Sequence, residues 1–229
     1  MAKMRGWRDL EQSILRGLWR LLGRQWEDPL FYQRSLKGVL RSGLEWLTGT
    51  YWVGGTLFER DLVRLPIPTL EAKVPVDVVV GTAADIPRFG GLLPEPKLKQ
   101  YAQRLEQGKV WLFATVNGEI AYSTWVSFSD EYDPATQTWV PVAPKGACLL
   151  DSFAVPRFRG LGLHTMMTAR RLAIAKERGA ERALGIVLDG NADAWRVQEK
   201  LGARKIEHIL TVTVLGRSFT RRSPCKESP

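Results

Sequence analysis

Cysteine and histidine are both scarce, with two of each in 229 residues. Cys148 and Cys225 stand far apart, and one lies in the tail. Neither a disulfide framework nor a thiolate zinc site is therefore expected, and a reducing cytoplasm fits best. With only His164 and His208, a histidine-rich metal centre is also not expected, and no metal is assigned. No apolar run approaches the roughly 18–20 residues of a membrane span. The first residues lack a signal peptide's uninterrupted apolar core, because arginines punctuate them. The expectation is a cytoplasmic protein.

Positive charge, by contrast, is plentiful. Lys and Arg number 33 against 24 Asp and Glu, a formal charge of +9. That sign favours anionic partners such as phosphate-bearing cofactors, nucleic acid or acidic lipid without choosing among them. Hydrophobic content of 45% and charged content of 25% describe an ordinary globular chain.

Residues 1–73 read as a helical extension followed by a linker. Trp7, Leu10, Ile14, Leu18 and Leu21 recur at helical spacing, with Arg8, Arg16, Arg20 and Arg24 largely elsewhere on the wheel. After Asp28-Pro29 a second pattern uses Phe31, Leu36, Val39, Leu40, Leu44 and Leu47. Residues 5–47 fit helices packed on the main domain or on a second subunit. A basic, Trp-bearing surface lying peripherally on an anionic membrane is the alternative. Residues 56–74, with Pro66 and Pro68 among charges, read as an extended linker.

Residues 74–216 form the main domain in this reading. Val76–Val80 is a short buried strand, and 82–87 a turn into a helix. Pro94 and Pro96 interrupt, so a helix is expected only over 97–107. Val110–Val116 and Glu119–Phe128 flank Asn117-Gly118, the strongest short hairpin signal available. Residues 129–146 are a long polar insertion, with Trp139, Val140 and Val142 as a short extra strand. Strands follow at 183–188 and 206–215, with a helix over 191–201 between them. Residues 217–229 read as a frayed basic tail.

The stretch around which this order is arranged is Cys148–Gly179. An apolar strand is stopped by Pro156. Arg157, Phe158, Arg159, Gly160, Leu161 and Gly162 follow as a basic turn, and a helix then runs to Gly179. Strand, glycine turn and helix together point free N–H groups and a helix N-terminus at an anion, so a phosphorylated cofactor is expected there. A tight connection with a solvated basic rim would look the same locally.

The order β-α-β-β-β-α-β-α-β, with Arg157-x-x-Gly160-x-Gly162 after a strand, resembles the GNAT superfamily of acyl-CoA-dependent acyltransferases. Ala154-Val155-Pro156 before the turn, Leu163 after it, Asn191 at the last short helix and Lys200-Leu201-Gly202-Ala203 closing that helix are similar to the family's marks. The resemblance implies an α+β or α/β fold with a mixed, mostly antiparallel central sheet flanked by helices. It implies acetyl-CoA, or another acyl-CoA, as co-substrate. Phe158 through Leu163 would surround the diphosphate, with Arg157 and Arg159 adding charge and His164 touching phosphate or capping the turn. Phe153, Ala154 and Val155 would bind the pantetheine arm, and Asn191 the arm or a water near the sulfur. The activity implied is transfer of an acetyl group to an amine by direct attack.

That chemistry needs a base for the amine and an acid for the departing thiolate. Where the family commonly places a tyrosine acid this chain has Gln198, so the alternative is a non-catalytic CoA-binding or scaffold module docked through its N-terminal helices. Asp151, a carboxylate inside an apolar strand, is the first candidate base, because burial unpaired would raise its pKa. Glu119 is the second. Cys148 as an acyl-carrying nucleophile has no histidine near it in sequence. The expected acceptor is a small amine or amino sugar, less readily a protein amine, drawn in by Asp130, Glu131 and Asp133. No nucleic acid is expected.

Overall fold

The structure is a computed structural model describing residues 50–225. The helices expected over 5–47 lie outside the described residues. Along the described chain run β1 (Thr50–Asp61), β2 (Asp77–Val80), a 3-10 turn (Ala83–Phe89), α1 (Glu95–Glu106), β3 (Val110–Val116), β4 (Glu119–Ser127), β5 (Glu131–Asp133) and β6 (Thr138–Val140). After them come β7 (Gly146–Ala154), a 3-10 turn (Pro156–Phe158), α2 (Leu163–Glu177), β8 (Arg182–Leu188), α3 (Ala192–Lys200), β9 (Arg204–Val214) and β10 (Arg217–Pro224).

Eight strands form one sheet in the order β10-β9-β1-β8-β7-β4-β3-β2, and β5 and β6 pair as a separate ribbon. The pairs β1–β8, β2–β3, β3–β4 and β4–β7 are antiparallel, and β7–β8 is parallel. The expected mixed, mostly antiparallel sheet flanked by helices is thus the observed one. Two expectations are corrected. The supposed linker contains β1, which pairs Gly55–Asp61 against Leu188–Arg182. The supposed frayed tail contains β10.

The chain divides into two units, Val53–Thr211 with Phe219–Pro229, and Met1–Trp52 with Val212–Ser218. In the second, the described part includes the turn between β9 and β10, where Leu215 and Gly216 both take positive φ and the Thr213 and Ser218 hydroxyls meet at 2.8 Å.

Local chemistry accounts for the central elements. β3 is buried throughout, as a strand covered on both faces must be, and its side chains alternate between two cores. Leu112, Ala114 and Val116 join Tyr122, Met167 and Leu172 on the α2 side. Trp111 and Phe113 join Phe89, Tyr101 and Trp125 on the α1 side. Asn117 and Gly118 turn β3 into β4 with φ of 51° and 80°. Pro94 and Pro96, read from sequence as interruptions, instead start α1: Pro94 stands at its N-cap and Pro96 within its first turn, where a missing N–H costs nothing. Gly179, at φ 84°, ends α2, and Ala180 N–H returns to Ala175 C=O at 3.0 Å.

In the α1-side core, Ser123 Oγ accepts from Trp111 Nε1 at 2.9 Å and lies 3.0 Å from the Tyr101 hydroxyl. One serine thus serves two buried aromatic polar groups. Gly81 packs flat against this core. A Cβ there would lie 2.3 Å from Trp111 Cε3, closer than any side chain tolerates.

Candidate acyl-transfer site

β7 and β8 run side by side for only a short distance. Their paired register covers Gly146–Arg182, Ala147–Ala183 and Cys148–Leu184 and then stops, although both strands continue. Past Cys148 the ladder between them ends, although Leu149 still lies close to Gly185, and the unladdered space between the two strands forms a wedge. The far edge of β7 stays tied to β4, through Phe153–Ser123 and Ala154–Tyr122 and then Val155 N–H to Ala121 C=O at 3.0 Å. The edge of Phe153 and Ala154 that faces the wedge is therefore open backbone, able to pair with an extended polar arm.

The turn after β7 is shaped for an anion. Gly160 and Gly162 take φ of 80° and 79°, which side-chain-bearing residues seldom adopt, and Gly162 is the N-cap of α2. No N–H over residues 160–165 has a partner among the described residues. These include the first donors of α2, which no helical carbonyl can reach. Lys73 N–H donates to Leu161 C=O at 2.9 Å, so the chain before β2 braces the turn from behind. Arg157 is paired with Glu119 and lies over the Phe158 ring, whereas Arg159 is exposed with no ion pair among the described residues. The donor set fits a diphosphate: unpaired N–H groups, a helix N-terminus and a free guanidinium.

His164, in the first turn of α2, is largely buried and lies with Nδ1 2.5 Å from the Tyr122 hydroxyl. Burial pushes its pKa down to about 4, with Arg171 adding to the effect, so the ring is neutral. It is therefore not a cation for phosphate. Its Nε2 is buried without a partner among the described residues. Asn191 caps α3, its Oδ1 accepting from Ala194 N–H at 3.2 Å. Only its amide NH2 remains for a ligand.

Asp151 sits in a bulge. Between Trp125–Leu150 and Ser123–Phe153 the register shifts, so β7 has one more residue than β4. Asp151 absorbs the kink with φ of 50°, a strained value for a non-glycine residue. Its carboxylate faces α1, where Lys97 Nζ lies 2.7 Å from Oδ2 and the Arg104 guanidinium bonds the same oxygen. The reason for expecting a raised pKa fails here. Burial alone would raise it, but the two cations outweigh burial and hold the group below the usual carboxylate range. Neither partner was singled out in the sequence. Their seven-residue spacing on one helix was the signal that could have found them.

Other expected groups are committed elsewhere. Glu119 pairs with Arg157 at the turn, away from the bulge. The acids of the 129–146 insertion are not free to draw in a cation. Asp130 accepts from Val142 and Ala143 N–H, Glu131 pairs with Lys109, and Asp133 accepts from the N–H and hydroxyl of Thr136. Cys148 is buried, and burial with the nearby acids pushes its thiol up to about 12, so it is no nucleophile. Among the described residues no helix is long and apolar enough to cross a membrane.

Residues 84–203, just over half of the chain, match the model of the acetyltransferase (GNAT) family. The chain belongs to that family. A search of curated proteins finds no match. Among solved structures, the GNAT-family acetyltransferase from Colwellia psychrerythraea is similar at 16% identity and a TM-score of 0.52, over 72% of this chain and 56% of that one. A Drosophila protein is similar at 12% identity and a TM-score of 0.51, over 80% of this chain and 59% of that one. A glucosamine N-acetyltransferase region of a fungal multi-domain β-N-acetylglucosaminidase is similar at 13% identity and a TM-score of 0.52, over 76% of this chain and 22% of that one. This chain thus spans little more than half of the first two proteins, and at these identities the likeness is one of fold. The glycine turn directly follows β7, and Asn191 follows β8, the parallel neighbour of β7.

Proposed function

We propose that the protein is an acyl-CoA-dependent N-acetyltransferase, moving an acetyl group from acetyl-CoA to the amine of a small molecule. The observation that carries this reading is the end of the β7–β8 pairing past Cys148, followed by a turn whose N–H groups from residue 160 to 165 are unpartnered among the described residues. In this reading the diphosphate lies against the unpartnered amides of residues 160–163 with Arg159 beside it, the Phe158 and Arg159 N–H groups being taken by Val155 and Pro156 C=O. The pantetheine arm runs along Phe153, Ala154 and Val155, and the Asn191 amide closes the arm's far side. A free backbone N–H on β7 polarises the thioester carbonyl as negative charge develops on its oxygen.

Asp151 is proposed to position the amine rather than to hold its proton. A carboxylate kept below its usual pKa range is ionised at neutral pH and a weak base. The amine's proton leaves through water, and its lone pair attacks the thioester carbon. The carbon–sulfur bond breaks, and the CoA thiolate takes a proton from solvent, since Gln198 cannot supply one. An acceptor of the amino-sugar kind is consistent with the fungal region's described activity.

The competing reading is a CoA-binding module without turnover, and its specific support is Gln198 where a proton donor is common in the family. Calorimetric titration with acetyl-CoA, followed by a thiol assay for CoA release with an amine panel, separates the two. Binding with amine-dependent release supports transfer. Binding without release supports the module, and absence of binding removes both.

A further inference from the structure

On the α1 side of the bulge the charges do not balance. Lys97 and Arg104 share a single oxygen of Asp151, leaving one positive charge in surplus within a partly enclosed cluster. The side chains of Lys97, Arg104 and Asp151 keep 29%, 13% and 19% of their exposure, so the cluster is neither sealed nor freely solvated. Asp151 Oδ1 takes no hydrogen bond among the described residues. The insertion acids that could have offset the surplus are consumed by their own loop and by Lys109. The cluster therefore presents two neighbouring functions, an open carboxylate oxygen and an under-neutralised ammonium.

We infer that the acceptor carries an anionic group, a carboxylate or a phosphate, close to the amine that is acetylated. This rests on the acetyl-transfer reading above and names the acceptor class for that same site. The ammonium of the incoming acceptor donates to Asp151 Oδ1. Its anionic group meets Lys97, the more exposed of the two cations, with Arg104 behind it. Binding such a molecule neutralises the surplus charge, whereas an acceptor bearing a second cation adds to it. Asp151 is held by two cations that fix its carboxylate, and its bulge lies on β7 three residues past Cys148, where the pairing with β8 ends.

The test is acetyl transfer by the full chain from acetyl-CoA to matched pairs of acceptors. One pair is glucosamine and glucosamine 6-phosphate, and another is an α-amino acid and its amide. The expected result is a kcat/KM at least about ten-fold higher for the anionic member of one pair, the size of one charge-assisted contact. Which pair responds separates phosphate from carboxylate. Lys97→Met is expected to raise KM for the anionic member about ten-fold more than for the neutral member, which also relies on the Asp151 that Lys97 holds, and to leave acetyl-CoA binding unchanged. Lys97→Glu is expected to reverse the preference. Unchanged acetyl-CoA binding in both variants certifies that the fold is intact. A preference for neutral or dicationic amines overturns this inference while leaving acetyl transfer standing. An anionic preference indifferent to Lys97 overturns the assigned site. No transfer to any amine, with acetyl-CoA bound, overturns the acetyl-transfer reading and this inference with it.

Discussion

The Tyr122 hydroxyl and His164 Nδ1 lie 2.5 Å apart beneath the first turn of α2. The hydroxyl and the neutral ring share one hydrogen bond, and Nε2 on the ring's other side is buried and unpartnered among the described residues. Protonating the ring would bury a charge and place it near buried Arg171.

A pH dependence of stability follows. The native His164 pKa is about 4 against a reference of 6.5, so below pH 6.5 the unfolded chain takes up a proton that the native one refuses. The stabilisation is therefore full above 6.5 and is lost as pH falls towards 4, amounting to about 3 kcal/mol. Urea unfolding at successive pH values should show His164→Phe less stable at pH 7 but flatter across this window. Parallel curves for the two proteins would contradict the assignment. Carboxylates held low, Asp151 among them, lose stability in the same direction in both proteins.

Ser123→Ala should cost more than a single hydrogen bond. Trp111 Nε1 and the Tyr101 hydroxyl would both lose their shared partner inside a dry aromatic core. At about 1–3 kcal/mol for each unsatisfied buried group, a loss of roughly 2–4 kcal/mol is expected by denaturant titration. A loss below about 1 kcal/mol would mean that the serine is not shared.

Gly81→Ala tests packing in the same core from its edge. The added methyl meets the ring of Trp111, which is fully buried and stacked on Trp125 at 5.6 Å, so the ring cannot step aside. Destabilisation of about 1–3 kcal/mol is expected, with a changed near-ultraviolet tryptophan signal.

Asp151→Asn should destabilise by about 2–3 kcal/mol, because Lys97 and Arg104 would face each other without their shared anion. The loss should be smaller at high salt, where the two cations are screened. Calorimetric melting at low and high ionic strength checks both statements.

The sequence disclosed those parts of the molecule where local chemistry decides. Pro156, Gly160 and Gly162 dictate a stop, a turn and a helix start whatever surrounds them, and Asn117-Gly118 dictates a hairpin. β1 was hidden because Gly54 and Gly55, residues that ordinarily weaken a strand, stand inside it. In the fold they are demanded by neighbours, since a Cβ on Gly54 would lie 2.0 Å from Asp189 Oδ2 and one on Gly55 3.0 Å from Ile186 Cγ2. β10 was hidden because its residues are almost all exposed and carry no apolar alternation. At the candidate site, the anion turn was legible as a local motif. The environment of Asp151 was not, because its two partners lie on another element and reach it only across the fold. The same holds for His164, whose partner Tyr122 is a neighbour only after β4 and α2 have packed.

The central claim, that the turn after β7 holds the diphosphate of acetyl-CoA, is tested most directly by calorimetric titration of acetyl-CoA into the full chain and its Arg159→Ala variant. Arg159 is exposed and unpaired among the described residues, so its loss leaves the fold untouched. The account predicts saturable one-to-one binding, weakened about ten-fold in the variant and weakened further by salt in the intact protein. No binding, or equal affinity in the two proteins, would contradict it.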